Sequence, residues 1–409
     1  MRRCRGSSAP RRRSKDSVSD DFDLVIIGGG CAGLSLAMAL AAHGERCPRT
    51  LVIEPRIEYT NDRTWCYWLV RSMAAHCPVE KSWQSMRLVY GGLSVSLDCG
   101  TTPYQMLAAR DFYAMARHSI AQQPKMALRQ GVSVIGEPSR HGDGWRLRSS
   151  AGELTARSVV DTRPSQRPRL DGAVLWQSFS GQEIECSAAV FDPSSLDLMN
   201  FLEPDPRHVA FVYVLPISSR RALVEVTVFG AAPLERRELG ALLEAAIAER
   251  VGAAPFTTLR REHGILPMGL IDTPRQRHPG CVKVGVMAGG ARASTGYAYQ
   301  RIQQWASECA GALVSRGRPV AHRPDPWPLR WMDRVFLEVL RAEPSRGASL
   351  FFSLFSRTDP ARVIRFLSGR ADVVDSLQVI AAMPVAPFVR AAIALARRRG
   401  GLGAIEEMA

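Results

Sequence analysis

The chain has 409 residues, 46% of them apolar, with 53 Lys and Arg against 39 Asp and Glu. That length and apolar share suit a globular protein with two or three cores and exclude disordered and fibrous classes. The formal charge of +14 is uneven: residues 1–15 hold seven basic side chains and no acid. This basic tail lacks interleaved aromatics, which argues against nucleic acid as a partner. Nine cysteines without a Cys-x-x-Cys pair argue against a disulfide framework or a zinc ribbon and fit a reducing compartment.

Residues 1–20, rich in Ser, Arg and Pro, read as a disordered tail. No apolar stretch behind the arginines is long enough for a secretory signal. Leu24 to Ile27 is an apolar run ending in glycines. Helix-period Leu34, Ala37, Met38 and Leu40 follow, then a second short strand from Thr50 to Ile53, which together form a βαβ unit. Met86 to Leu97, with Gly91-Gly92 at its middle, reads as a hairpin, Asp111 to Ile120 as a helix, Val132 to Ile135 as a strand, and Trp145 to Val160 as a hairpin turned at Ala151-Gly152. Longer strands then appear at Val209 to Val214 and Ala222 to Phe229, with a helix from Leu234 to Arg250. A strand returns at Val282 to Val286, followed by Gly289-Gly290 and a helix beginning near Tyr297, and everything from Trp327 onward is helical. The implied organisation is a tail (1–20), a discontinuous dinucleotide-binding α/β domain (21–162 and 264–316), an antiparallel β domain (163–263) and a helical region (317–409). The apolar tract Val379 to Ala396 is interrupted by Pro384, Pro387 and Arg390, short of the ~20 residues that span a bilayer.

Gly28-Gly29-Gly30-Cys31-Ala32-Gly33 fits Gly-x-Gly-x-x-Gly directly after a buried strand and at the start of a helix. In that context Gly28 permits the turn, Gly30 admits a pyrophosphate, Gly33 lets helix and strand approach, and the helix N-terminus faces the phosphates. Glu54, 21 residues after Gly33, is placed to accept bonds from an adenosine ribose. The late run Val284-Gly285-Val286-Met287-Ala288-Gly289-Gly290 stands where two-dinucleotide-fold flavoproteins of the hydroxylase type carry a Gly-Asp pair, and it has no Asp. A helix N-terminus there favours a reduced, anionic flavin.

Asn61 to Trp68, Phe211-Val212-Tyr213-Val214-Leu215-Pro216, Ala222 to Thr227, Ala288-Gly289-Gly290 with Ser294-Thr295-Gly296-Tyr297, and Phe351 to Leu367 together resemble the lycopene cyclases of carotenoid-making bacteria and plants. The resemblance runs from residue 23 to about 370. It implies an FAD enzyme of the Rossmann type, active with the flavin reduced, with NADPH or NADH as reductant. Such an enzyme closes the ψ ends of lycopene to β-ionone rings without net redox change. It further implies Glu225 as the acid, and Gly28, Gly30, Gly33, Glu54, Arg63, Gly289, Gly290, Thr295 and Gly296 around the cofactor.

A carboxyl among Leu223, Val224, Val226 and Val228 has its pKa raised and can remain a proton donor near neutrality; the alternative is an edge-strand Glu facing water. If the strand alternates, Glu225 shares a face with Leu223 and Thr227. Trp176, Phe179, Phe211 and Tyr213 are candidates to stabilise a carbocation through their ring faces, or ordinary core aromatics. Met199-Asn200-Phe201 stands where the family has Met-Asp, leaving Asp192 or Asp197 as alternative assisting acids. Because a C40 hydrocarbon resides in the bilayer, the mixed apolar and Arg-rich C-terminal helices are expected to rest on the cytoplasmic membrane surface, or else to form a lid packed on the core. Rival readings are a geranylgeranyl-type isoprenoid reductase and a non-catalytic lipid or flavin carrier.

Overall fold

The computed structural model describes residues 21–69, 79–164, 170–271 and 278–406. The basic tail, expected to be disordered, lies outside them. In chain order the elements are β1 (Asp21–Ile27), α1 (Cys31–Ala41), β2 (Thr50–Glu54), β3 (Thr64–Trp68), β4 (Lys81–Trp83), β5 (Ser85–Tyr90), β6 (Leu93–Asp98), β7 (Tyr104–Ala108), α2 (Ala109–Ala121), β8 (Met126–Gln130), β9 (Val134–His141), β10 (Gly144–Ser149) and β11 (Gly152–Asp161). They continue with β12 (Leu170–Cys186), β13 (Ser195–Phe201), β14 (His208–Pro216), β15 (Arg221–Gly230), α3 (Arg236–Val251), β16 (Phe256–Ile271), β17 (Cys281–Lys283), α4 (Tyr299–Arg316), α5 (Trp327–Ala342), α6 (Gly347–Arg357), α7 (Pro360–Leu367), α8 (Val373–Ala381) and α9 (Val385–Glu406).

The first sheet runs β8-β2-β1-β11-β10-β9, with β17 also on β11. Its centre is parallel, as βαβ crossovers require. Leu24 and Ile26 face α1, α2 and α4, while Val25 and Ile27 face Trp145 and Leu147. Burial on both faces explains the unbroken apolar run of β1. The second sheet runs β16-β12-β15-β14-β13-β5-β6. Val224, Val226 and Val228 pack under α3 on one face, and Leu223 and Phe229 join the C-terminal helices on the other. Strict alternation along β15 thus separates two cores. A small sheet, β3-β7-β4, carries Tyr67 into the first core and Trp68 into the second.

Two expected boundaries shift, the first at β16, which stays paired with β12 in the second sheet as far as Ile271, beyond the expected limit at 263. The Met86 to Leu97 hairpin forms as β5–β6, turned on Gly91 and Gly92 with φ of 57° and 79°, but β5 pairs with β13 and belongs to the second sheet. The hairpin's own pattern defines its turn, whereas its partner is set by a strand about 110 residues away.

Candidate active site

The glycines after β1 each answer a different steric demand. Gly28 has φ 101°, and a Cβ there would lie 2.4 Å from Thr162 Oγ1. A Cβ on Gly33 would lie 2.0 Å from the Gly28 carbonyl oxygen, so α1 approaches the turn only without one. Gly30, the N-cap of α1, has nothing within 4 Å of a Cβ: the space above the helix N-terminus is open, as a pyrophosphate needs. Glu54 is 3% exposed at the end of β2, and its Oε2 accepts the Gly29 N–H at 2.7 Å. Its Oε1 accepts the Arg56 backbone N–H at 2.9 Å and Nε at 2.8 Å. Burial acts against ionisation, but the Arg56 bonds outweigh it and hold the carboxyl below its ordinary range. Arg56 also donates to the Gly29 carbonyl at 3.1 Å and to Tyr113 Oη at 3.2 Å. Sequence reasoning passed over Arg56; Glu-x-Arg at the end of the second strand was its signal. Arg63 is bonded to Asp62 at 3.0 Å, with 56% of its side chain exposed.

The second glycine run forms the opposite wall. A Cβ on Gly285 would lie 4.0 Å from Ala32 Cβ, so the late loop meets the first glycine helix. Gly285 N–H donates to His322 Nε2 at 3.0 Å, and burial lowers the His322 pKa to about 4, which keeps the ring a neutral acceptor. Gly289 has φ 86°, and Gly290 lies against the Gly285 carbonyl and His322. Thr295 and Gly296 lead into α4, whose N-terminus has the positive end of its dipole there. Gln177 Oε1, from β12, is buried without a hydrogen-bond partner and lies 2.7 Å from where a Gly296 Cβ would be. Open space at a helix N-terminus, glycine-lined walls and an orphaned acceptor make a cradle that fits a dinucleotide.

Tyr297, next to Gly296, lies close to Tyr104 of β7 and Tyr213 of β14, and Tyr213 stands opposite Glu225 in the β14–β15 ladder. Glu225 accepts the Thr227 hydroxyl at 3.1 Å and lies near Leu223 on the same face. It also comes within reach of Glu262 of β16, and burial followed by the Glu262 charge pushes its carboxyl well above the usual range. The side chain retains some accessible surface, as an acid that must touch a ligand requires. Glu262 in turn accepts Thr64 Oγ1 at 2.9 Å and pairs with Arg260. Burial likewise pushes the nearby Cys66 thiol well up.

The four candidate aromatics divide. Phe179 and Phe211 flank Thr227 across the ladders and share the face of Glu225 and Tyr213. Phe211 is fully buried, edge-on to Tyr213 at 5.2 Å. Trp176 does not belong with them: it alternates with Ser178, whose Oγ accepts the Leu234 N–H at the approach to α3, so it lies on the opposite face. The alternative acids are also elsewhere. Asp197 is held by Arg87 at 2.7 Å and Arg250 at 2.6 Å, Asp192 is exposed, and Asn200 pairs with Val212 on the α3 side. The second acid beside Glu225 is Glu262, which sequence reasoning missed because the strand order that joins them is not local.

Beyond Ser294 and Thr295 an apolar cavity of about 340 Å³ extends between α5 and α9, walled by Trp331, Phe336, Phe351 and Phe388. Its outer lining includes Ile380, Val385 and Val389, all exposed. Arg292 and Asp333, both nearly fully buried, pair at 3.1 Å and tie the Thr295 loop to α5. The C-terminal arginines are largely paired: Arg362 and Arg365 with Asp375, Arg390 with Glu343 and Arg398 with Glu338. Among the described residues no single helix is long and apolar enough to cross a membrane; α8 and α9, to Arg398, meet at a bend of 109°.

The family model described as "Lycopene cyclase protein" matches residues 23–393. The chain belongs to the lycopene cyclase family. No curated protein sequence matches this family member significantly. Its fold is shared with a geranylgeranyl bacteriochlorophyll reductase-like protein from Thermoplasma acidophilum (TM-score 0.55, 14% identity, 91% of this chain and 96% of that one). It is shared too with a flavoprotein/dehydrogenase from Cytophaga hutchinsonii (0.56, 14%, 85% and 93%) and p-nitrophenol 4-monooxygenase from Pseudomonas putida (0.55, 16%, 90% and 96%). The mixed α/β flavoprotein architecture expected from the two glycine runs is therefore the one this family member adopts.

Proposed function

We propose that this chain is an FAD-dependent lycopene β-cyclase that converts lycopene to gamma- and then beta-carotene. The observation carrying the reading is Glu225: in a member of the lycopene cyclase family, burial raises the pKa of a carboxyl that stands beside Tyr213 and Phe179, on the sheet face that meets the Tyr297 loop. Glu225 gives its proton to the terminal double bond of a ψ end. The resulting tertiary cation is attacked by the neighbouring double bond to close the ring, and loss of a ring proton completes a β-ionone end. Ring faces and a water-poor cavity stabilise the cation without trapping it.

Gly28, Gly30, Gly33 and Glu54 hold the adenosine and pyrophosphate half of FAD in this reading. Gly289, Gly290, Thr295 and Gly296 hold the flavin half. The bound cofactor, reduced by NADPH or NADH, supplies negative charge near the developing cation. The cavity under α5 to α9 takes the remainder of the polyene. Its mouth among Ile380, Val385 and Val389, with Val373, Val374, Leu377 and Trp327 exposed on the same helical region, favours peripheral docking on the inner, cytoplasmic face of the membrane.

The test is expression in a lycopene-accumulating cell with chromatography and mass analysis of the pigments. Cyclisation leaves mass unchanged and yields ringed products. Added hydrogens would indicate an isoprenoid reductase, and unchanged lycopene with a folded, flavin-bound protein would remove the cyclase reading. Glu225→Gln should keep fold and flavin yet lose activity by ~10²–10⁴-fold.

A further inference from the structure

Glu225 on β15 and Glu262 on β16 are not neighbours in the sheet: β12 runs between them, and its residue at that level is Gly181. Strands lie about 4.8 Å apart, so any side chain on the middle strand would stand between the two carboxyls. At Gly181 a Cβ would lie 3.3 Å from Glu225 Cβ and 3.2 Å from Glu262 Cγ. Without it the two acid side chains close over the glycine and come within reach of a shared hydrogen bond. A hydrogen bond between carboxyl groups requires one proton, and its location depends on what else each group touches.

Glu262 accepts from Thr64 and pairs with Arg260, and Arg260 also bonds Glu183. Glu183 is bonded by Arg221, which reaches Glu80 at 3.0 Å. This alternation of charges ends on Glu262. Around Glu225 stand the Thr227 hydroxyl on its own strand, Tyr213 on β14, Cys66 on β3 and, beyond Tyr213, Tyr297; Arg260 acts on it only from its place on Glu262 and Glu183. The ionic partner therefore belongs to Glu262 and the proton to Glu225.

Resting on the reading of Glu225 as the acid, we propose that Glu262 is a positioning residue that retains the proton on Glu225, with Gly181 as the gap through which they meet and Arg260 as the counter-charge of Glu262. In turnover the Glu225 O–H bond breaks as a C–H bond forms on the alkene. Ring closure follows, and a ring C–H bond then breaks, so one proton enters, one leaves and no electrons move. The proton released restores the shared one.

The test uses the FAD-loaded protein with Glu262→Gln, Gly181→Ala and, as reference, Glu225→Gln. Infrared difference spectra follow the protonated carboxyl band against pH without substrate, and cyclisation rates on lycopene in vesicles are measured over the same range. The band should vanish in Glu225→Gln. In Glu262→Gln its titration midpoint should fall by about 1–3 units, because a like charge is removed and the amide can donate to the Glu225 carboxylate. The alkaline limb of the rate profile should fall with it. Gly181→Ala should lower the midpoint as well, by parting the pair while leaving both charges. Arg260 keeps Glu183 in Glu262→Gln, which favours folding, and Gly181→Ala provides an independent arm. Unchanged midpoints in both variants would overturn the proposal. Shifted midpoints without any carotene conversion would uphold the pair and refute the cyclase reading instead.

Discussion

Gly30 and Gly33 lie three residues apart in one motif, yet the structure assigns them opposite failures. A Cβ at Gly33 would meet the Gly28 carbonyl oxygen at 2.0 Å, the Gly28 carbonyl carbon at 3.2 Å and Ile26 Cγ2 at 3.1 Å. Two of those atoms are backbone and cannot rotate away. Gly33→Ala should therefore cost about 3 kcal/mol, the upper part of the range for overpacking, and lose flavin through displacement of α1. Gly30→Val projects into open space from an extended backbone with φ −82° and ψ −168°. Its stability loss should be about 1 kcal/mol or less, from replacing a glycine N-cap, but the valine occupies the volume a pyrophosphate would use. Denaturation midpoints and flavin absorbance per protein, measured on both variants, separate the cases. Full flavin in a folded Gly30→Val protein, or a Gly33→Ala protein as stable as the parent, would refute this account of the cradle.

His322 should make the protein acid-sensitive. Its unfolded ring takes a proton near its usual 6.5 but its folded ring only near about 4, so stability is full above the higher value and declines as pH falls between the two. The loss should approach about 3 kcal/mol, and a His322→Gln variant followed by thermal melts should show a flatter profile over that window. Asp333→Ala strands the buried Arg292 guanidinium and should cost about 3–5 kcal/mol, read as a lower denaturation midpoint. Val385→Glu with Val389→Glu places two charges at the cavity mouth and should weaken binding to anionic vesicles while fold and flavin persist. Because Asp375, Glu343 and Glu338 are each shared by two arginines, positive charge is left over on this region, and binding of the parent protein to anionic vesicles should weaken as salt rises; salt-independent binding would indicate a purely apolar docking face.

Signals local in the chain were legible without coordinates. The strand, glycine and helix sequence around Gly28 to Gly33, the glycine turns of both hairpins, and the alternation that puts Glu225 with Leu223 and Thr227 all act over a few residues, where backbone sterics and period-two geometry dominate. The family strings were equally readable, because they are stretches of contiguous residues. Strand order was not: it brings Glu262 to Glu225 over a glycine from a third strand and moves β5 and β6 into the second sheet. Such placements depend on which strands exchange hydrogen bonds across long loops, a choice settled by burial of whole faces. Charge showed the same limit. Composition counts the arginines of the C-terminal helices, but only their neighbours in space determine that Asp375, Glu343 and Glu338 are each shared by two of them.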